Sequence, residues 1–196
     1  MKALLLVGTL KDKEVSNTAV LAEFVAGYLK KEEIEHEMVL LTQYNILPGT
    51  LIKQDTPDDF PAIYEKILEA DILFFATPIW WGNHSSEIQR IIERLDEIHD
   101  LLMEGKESPL EGKLGGMIIT GDSDGAEHVT GNIANFFNGI GITLPAYSSL
   151  SVLWEGHAKK KKNTKAALMK YYEKEYAQDA ETLARSLARF LQTAKQ

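Results

Sequence analysis

Residues 70–95, ADILFFATPIWWGNHSSEIQRIIERL, carry a hydrophobic run that stops at a polar, aromatic, glycine-containing turn and passes straight into an amphipathic helix. The run at 72–76 is short and uniformly apolar, bounded by Asp71 and by Thr77-Pro78, and so reads as a central parallel strand. The next residues place Trp80, Trp81, Gly82 and Asn83 at its carboxyl end, where a core gains nothing from them. Open α/β sheets bind ligands at such junctions, and a loop of this composition suits a flat aromatic one.

Outward from this stretch, further apolar runs fall at 3–7, 38–41, 116–119 and 149–153, with helical patterns between them. This is βα alternation. Right-handed crossovers then give a parallel sheet with helices on both faces, and the strand order expected of this five-stranded doubly wound α/β fold is 2-1-3-4-5. No repeat or linker divides residues 1–196, so one domain is expected.

The first helix carries Leu21, Phe24, Val25, Tyr28 and Leu29 on one stripe, with Ser16, Asn17 and Thr18 as its cap. Thr56-Pro57-Asp58-Asp59 reads as the start of a second, followed by Phe60, Ile63, Ile67 and Leu68. Ser86 and Gln89 have the spacing of a capping box opening a third helix, whose inner face is Ile88, Ile91, Ile92, Leu95 and Ile98. A fourth carries Ile133, Phe136, Phe137 and Ile140 and ends at Gly139 or Gly141. The last pattern, 164–193, is long. It either overhangs the sheet to meet a second subunit or breaks near Gln178.

At 196 residues the chain can bury roughly 70% of its unfolded surface without staples. Cysteine is absent, which removes thiol catalysis, Cys zinc sites and iron–sulfur ligation, and a cytoplasmic location is expected. The apolar run at 3–7 is too short for a signal peptide or membrane span. A net charge of −8 with no basic stripe argues against nucleic acid. The lysines 159–162 are either a solvated tract or a local anion contact.

In the expected strand order three polar, small-residue loops converge on one crevice: 8–17, 77–85 and 121–130. The first ends at a helix start, with short hydroxyl side chains and backbone N–H groups facing one point, which suits a phosphate; an ordinary N-cap explains the same residues. Lys11 and Lys13 either complement the charge or are simply solvated. There is no Walker pattern, no GxGxxG and no acidic residue after strand two, so a dinucleotide site is disfavoured. A mononucleotide with a large flat ring, flavin mononucleotide above all, fits better. Trp80 and Trp81 are placed to stack on or edge the ring, with Thr77 and Asn83 bonding along it, although either indole taken singly can be a packing residue. His84 either orients a substrate or binds nothing. In the third loop Asp122, Asp124, Glu127 and His128 do not match an EF-hand, and no metal is expected. Backbone contacts from 121–125 to a ring edge are expected instead.

At these residues the chain resembles the flavodoxin-like NAD(P)H-dependent FMN reductases, within the multimeric flavodoxin-related oxidoreductases. The family's Gly-Ser-x-Arg turn followed by Ser-Asn-Thr appears as Gly8-Thr9-Leu10-Lys11 and Ser16-Asn17-Thr18, with Lys11 in place of the bidentate Arg. The resemblance implies that Thr9, Lys11, Ser16, Asn17 and Thr18 hold the FMN phosphate. The family's Thr-Pro-Ile-Tyr-Trp-Gly is matched by Thr77, Pro78, Ile79, Trp80, Trp81 and Gly82, with Trp80 lacking the tyrosine hydroxyl. It implies that this loop and Asn83 line the isoalloxazine. Gly121, Asp122, Ser123, Asp124 and Gly125 correspond to the glycine-rich loop that touches the flavin, and Glu93-Arg94-Leu95-Asp96 resembles the family's Asp-Arg segment. The implied activity is hydride transfer from NAD(P)H to flavin and on to a quinone, flavin or similar small acceptor, with no obligatory acid or base. A homodimer or homotetramer is implied as well, the tail from Lys170 offering tyrosines and leucines for contact. A flavodoxin-type electron carrier without its own substrate is the alternative. A receiver-like signalling domain lacks its acidic residues here, and a fold that has lost its cofactor is the remaining reading.

Overall fold

The computed structural model describes residues 1–11, 14–121, 124–153 and 164–194. Five strands, β1 (Lys2–Val7), β2 (Glu35–Leu40), β3 (Ile72–Pro78), β4 (Leu114–Gly121) and β5 (Ser149–Leu153), form a parallel sheet in the order β2-β1-β3-β4-β5. This is the doubly wound order expected. β3 lies at its centre, with Ile72, Leu73, Phe74, Phe75 and Ala76 wholly buried. Alternation along the strands feeds two cores. Leu5, Val7, Phe74 and Ile118 pack with helices α1 (Asn17–Lys31) and α6 (Lys165–Ala194). Leu4, Leu6, Leu73, Phe75 and Ile119 pack on the other face with α2 (Phe60–Glu69), α3 (Ser86–Arg94), α4 (Asp96–Met103) and α5 (Ala126–Gly139).

Three helical expectations need correction. The second helix starts at Phe60, not at Thr56, with Asp59 at the cap position making no side-chain cap bond and Pro61 in the first turn. The carboxylates of that tetrapeptide bond other backbone: Asp59 accepts from the Asn45 amide at 2.7 Å, and Asp58 accepts from the amides of Leu47 at 2.9 Å and Phe60 at 3.3 Å.

The third pattern is two helices, because the chain turns at Leu95 between α3 and α4. Its cap is Ser85, whose hydroxyl accepts the Ile88 amide at 3.3 Å, while Gln89 donates to Glu93 instead of closing a box. The turn directs Arg94 inward while Leu95 and Ile98 stay in the core.

The last helix does not break at Gln178, and its apolar stripe is buried within the chain. α6 runs thirty residues unbroken. Leu168, Tyr172, Ala180, Leu183, Leu187 and Leu191 pack in the same core as Leu21, Phe24 and Val25 of α1. α5 ends at Gly139, as expected, and Gly141 follows at φ +88, where a side chain would be strained. Among the described residues no helix is long and apolar enough to cross a membrane.

Candidate functional site

The parallel register sets the carboxyl ends of β1, β3 and β4 side by side, with Val7 opposite Ala76 and Pro78 opposite Thr120. The loops that follow them touch. Ile79 N donates to Thr120 O at 2.8 Å, and the Thr18 and Thr120 hydroxyls are 2.6 Å apart. A Cβ on Gly8 would stand 2.5 Å from Ile88 Cγ1, one on Gly121 2.8 Å from Ile79 Cδ1, and one on Gly125 2.8 Å from Gly82 Cα. These glycines are what lets three segments distant in sequence close on one crevice.

At the first loop, both readings of Ser16 hold at once. In extended conformation it caps α1, its hydroxyl oxygen accepting the Ala19 amide at 3.2 Å. The same hydroxyl donates to Thr9 Oγ1 at 2.8 Å, and that oxygen also accepts the Lys11 amide at 3.2 Å. Thr9 thus accepts twice. Thr18 is buried with its hydroxyl committed to Thr120, so what it offers an anion at the helix start is backbone. The Lys11 ammonium lies 3.4 Å from Glu14. Lys13 is outside the described residues.

The second loop divides into a buried hinge and an exposed tip. Thr77 is wholly buried; its hydroxyl accepts the Ser85 amide at 2.9 Å and donates to Pro78 O at 2.9 Å, so it shapes the loop. Trp80 and Asn83 exchange backbone bonds of 2.7 and 2.9 Å around Trp81 at φ +50 and Gly82 at φ +79, a tight turn of type I′ sense. Tryptophan is an unfavourable residue at positive φ. The turn nevertheless holds Trp81 97% exposed and Trp80 51% exposed. Asn83 donates to Trp81 O at 3.2 Å. His84 is half-buried behind the tip. Burial pushes its pKa down, against the opposing hydrogen bond to the Ser85 carbonyl, and favours the neutral ring.

In the third loop Gly121 and Gly125 line the crevice and α5 begins at Ala126. Asp124 is exposed, as are Glu127 and His128, the latter 3.2 Å from Asn132. Asp122 and Ser123 lie outside the described residues, as do the lysines 159–162. Among the described residues no three His, Cys, Asp or Glu side chains gather as a metal site.

Sequence reasoning missed what holds the frame. Arg94 is fully buried and bonds Asp58, the carbonyls of Leu51 at 2.6 Å, Leu47 at 3.0 Å and Ile52 at 2.9 Å, with the Phe60 ring 4.6 Å from its guanidinium carbon. It clamps the irregular stretch 44–59 onto α3. Burial alone would raise the Asp58 carboxyl, but hydrogen bonds from Arg94 and the Leu47 and Phe60 amides outweigh that and hold it below the ordinary value. Thr120, the partner of Thr18, was also not singled out. A hydroxyl ending a strand carries no signal for such a pairing.

The donor set fits a riboflavin monophosphate. The Thr9 and Ser16 hydroxyls and the start of α1 offer donors to an anion, and the exposed Trp80–Trp81 turn with the close-packed backbone at Gly121 and Gly125 offers surface to a flat ring. The chain is similar to several known proteins. The chain is 32% identical over 168 residues to 8-demethyl-8-aminoriboflavin-5′-phosphate synthase of Streptomyces davaonensis, covering 81% of this chain and 65% of that one. It is 31% identical over 163 residues to a divalent metal cation transporter of Mycobacterium bovis, covering 81% of this chain and 24% of the relative. The chain therefore spans less than two thirds of either relative. Among solved structures, RosB with a bound 8-demethyl-8-formylriboflavin-5′-phosphate intermediate superposes with a TM-score of 0.79 at 23% identity, covering 100% of this chain and 80% of that one. The profile of the NADPH-dependent FMN reductases matches residues 1–155, which takes in every strand and all three crevice loops, and the chain belongs to that family.

Proposed function

We propose that the protein is an FMN-dependent oxidoreductase that takes hydride from NAD(P)H and passes electrons to a quinone, flavin or similar small acceptor. The observation that carries this reading is the meeting of the hydroxyl-rich start of α1 with the Trp80–Asn83 turn across Gly121 and Gly125. In this reading Thr9, Lys11, Ser16, Asn17 and Thr18 hold the phosphate. The loop of Thr77, Pro78, Ile79, Trp80, Trp81, Gly82 and Asn83 lines the ring, and Gly121, Asp122, Ser123, Asp124 and Gly125 meet its edge. The bound flavin supplies the hydride chemistry. The chain's part is to fix the ring with one face open, keep bulk water from the other, and direct backbone N–H donors at the pyrimidine edge, where reduction places negative charge. No side-chain acid or base is required, and His84, held neutral, is a hydrogen-bonding group at the rim.

The synthase among the relatives, whose name carries a riboflavin 5′-phosphate, supports the choice of ligand. Anaerobic addition of NADH or NADPH to the FMN-loaded protein is expected to bleach its yellow absorbance, and the bleached protein to recover colour on adding a quinone. Failure of both nucleotides to bleach it would exclude this activity and leave the electron-carrier reading. We further propose a homodimer or homotetramer, in which a second subunit packs against the adjacent exposed Trp80 and Trp81 beside the ring site. Light scattering that returns a monomer mass would refute this. The cysteine-free composition suits a cytoplasmic setting.

A further inference from the structure

The family profile stops at residue 155, yet α6, which lies beyond it, reaches back to the helix start assigned above to the phosphate. Tyr172 is wholly buried and extends its hydroxyl to the backbone carbonyl of Asn17, 3.3 Å away, at the first residue of α1. Its ring is flanked by Phe24 and Tyr171, each at 5.8 Å between centroids. A buried phenol needs an acceptor, and among the described residues this carbonyl is the one it has. Burial also pushes its pKa up, so the group stays a donor at any ordinary pH.

The oxygen of Asn17 and the amide hydrogen of Thr18 belong to one planar trans peptide and point in opposite directions. In the first turn of a helix the carbonyl points down the axis, and the N–H points back out through the amino end, at any anion placed there. A donor on the oxygen polarises the whole amide and strengthens the N–H as a donor, besides fixing the plane of the peptide.

The geometry points to Tyr172 as a positioning residue for the cofactor phosphate: through the Asn17 carbonyl it orients and polarises the Thr18 amide at the mouth of α1. The inference rests on the phosphate reading of that helix start. Elsewhere along the same interface Tyr28 donates to the Glu173 carboxylate at 3.2 and 3.1 Å. That bond lies about three turns farther along α1 and supplies a control.

The experiment titrates the FMN-free full-length protein with FMN and, separately, with riboflavin, which lacks the phosphate, following quenching of flavin fluorescence. Tyr172→Phe keeps the buried ring and removes only the hydroxyl. It is expected to raise the Kd for FMN about three- to tenfold while leaving that for riboflavin within about twofold. Tyr28→Phe should change neither. An unchanged FMN affinity in Tyr172→Phe, an equal loss for both flavins, or the same selective loss in Tyr28→Phe would overturn the assignment. If the wild-type chain binds the two flavins equally, the phosphate reading itself is refuted, and that is visible before any variant is made.

Discussion

Two irregular stretches lie beside the carboxyl edge of the sheet, and they treat their polar groups in opposite ways. The stretch 44–59 turns them inward: Arg94, Asp58, Asp59 and Glu97 together bond the backbone at Asn45, Leu47, Leu51, Ile52 and Phe60. The turn at 80–83 closes only on its own backbone, holds a tryptophan at positive φ and leaves two indoles open to solvent. A connection that serves the scaffold satisfies itself. One that serves a ligand keeps strain and apolar surface for the partner.

The largest expected effect tests the first half of that contrast. Arg94→Met strands the Asp58 carboxylate among buried groups and should cost about 3–5 kcal/mol in urea unfolding. Removing Asp58 as well, with Asp58→Asn, should recover part of the loss, because no uncompensated charge then remains buried. A loss under about 1 kcal/mol in Arg94→Met would make the two stretches energetically alike. The pair also sets an acid limit. The folded Asp58 titrates below its unfolded value of 3.8, so its contribution is complete above that pH and is lost as pH falls through the lower, folded value. Asp58→Asn should flatten that acid limb.

For the second half, Trp80→Ala should leave unfolding free energy within about 0.5 kcal/mol of wild type yet weaken FMN about tenfold or more by calorimetric titration. The reverse pattern would make Trp80 a packing residue. Ser16→Ala removes a group that both caps α1 and feeds the Thr9 hydroxyl, and about 1 kcal/mol of stability should go with it, alongside FMN affinity. The smallest effect should be a gain: Trp81→Asn places a residue that tolerates positive φ in the turn and should stabilise the flavin-free protein by about 0.5–1 kcal/mol, read as a higher Tm.

The crevice was legible because its signals are local: apolar runs, a serine at a helix start, glycines and tryptophans just past strand ends. The same locality explains the errors. Thr56-Pro57-Asp58-Asp59 has every mark of a helix start, but Asp58 answers to Arg94, thirty-six residues away. Ser86 has box spacing to Gln89, but its neighbour Ser85 is the cap. Arg94 falls in a run of charges and looks solvated by composition, since arginine is seldom fully buried unless paired.

Hydrophobic periodicity and cap chemistry, which act over a few residues, were by themselves enough to determine βα alternation and a parallel sheet and to mark three polar loops just past strand ends, whereas the order 2-1-3-4-5 is set by long-range strand pairing. The tertiary structure alone decided which carboxylate meets Arg94, that α6 lies unbroken along α1, and that Tyr172 bonds Asn17 across 155 positions of chain. Those pairings arise because burial obliges every polar group to find a partner, and the partner is whichever group packing brings within reach, at any distance along the chain.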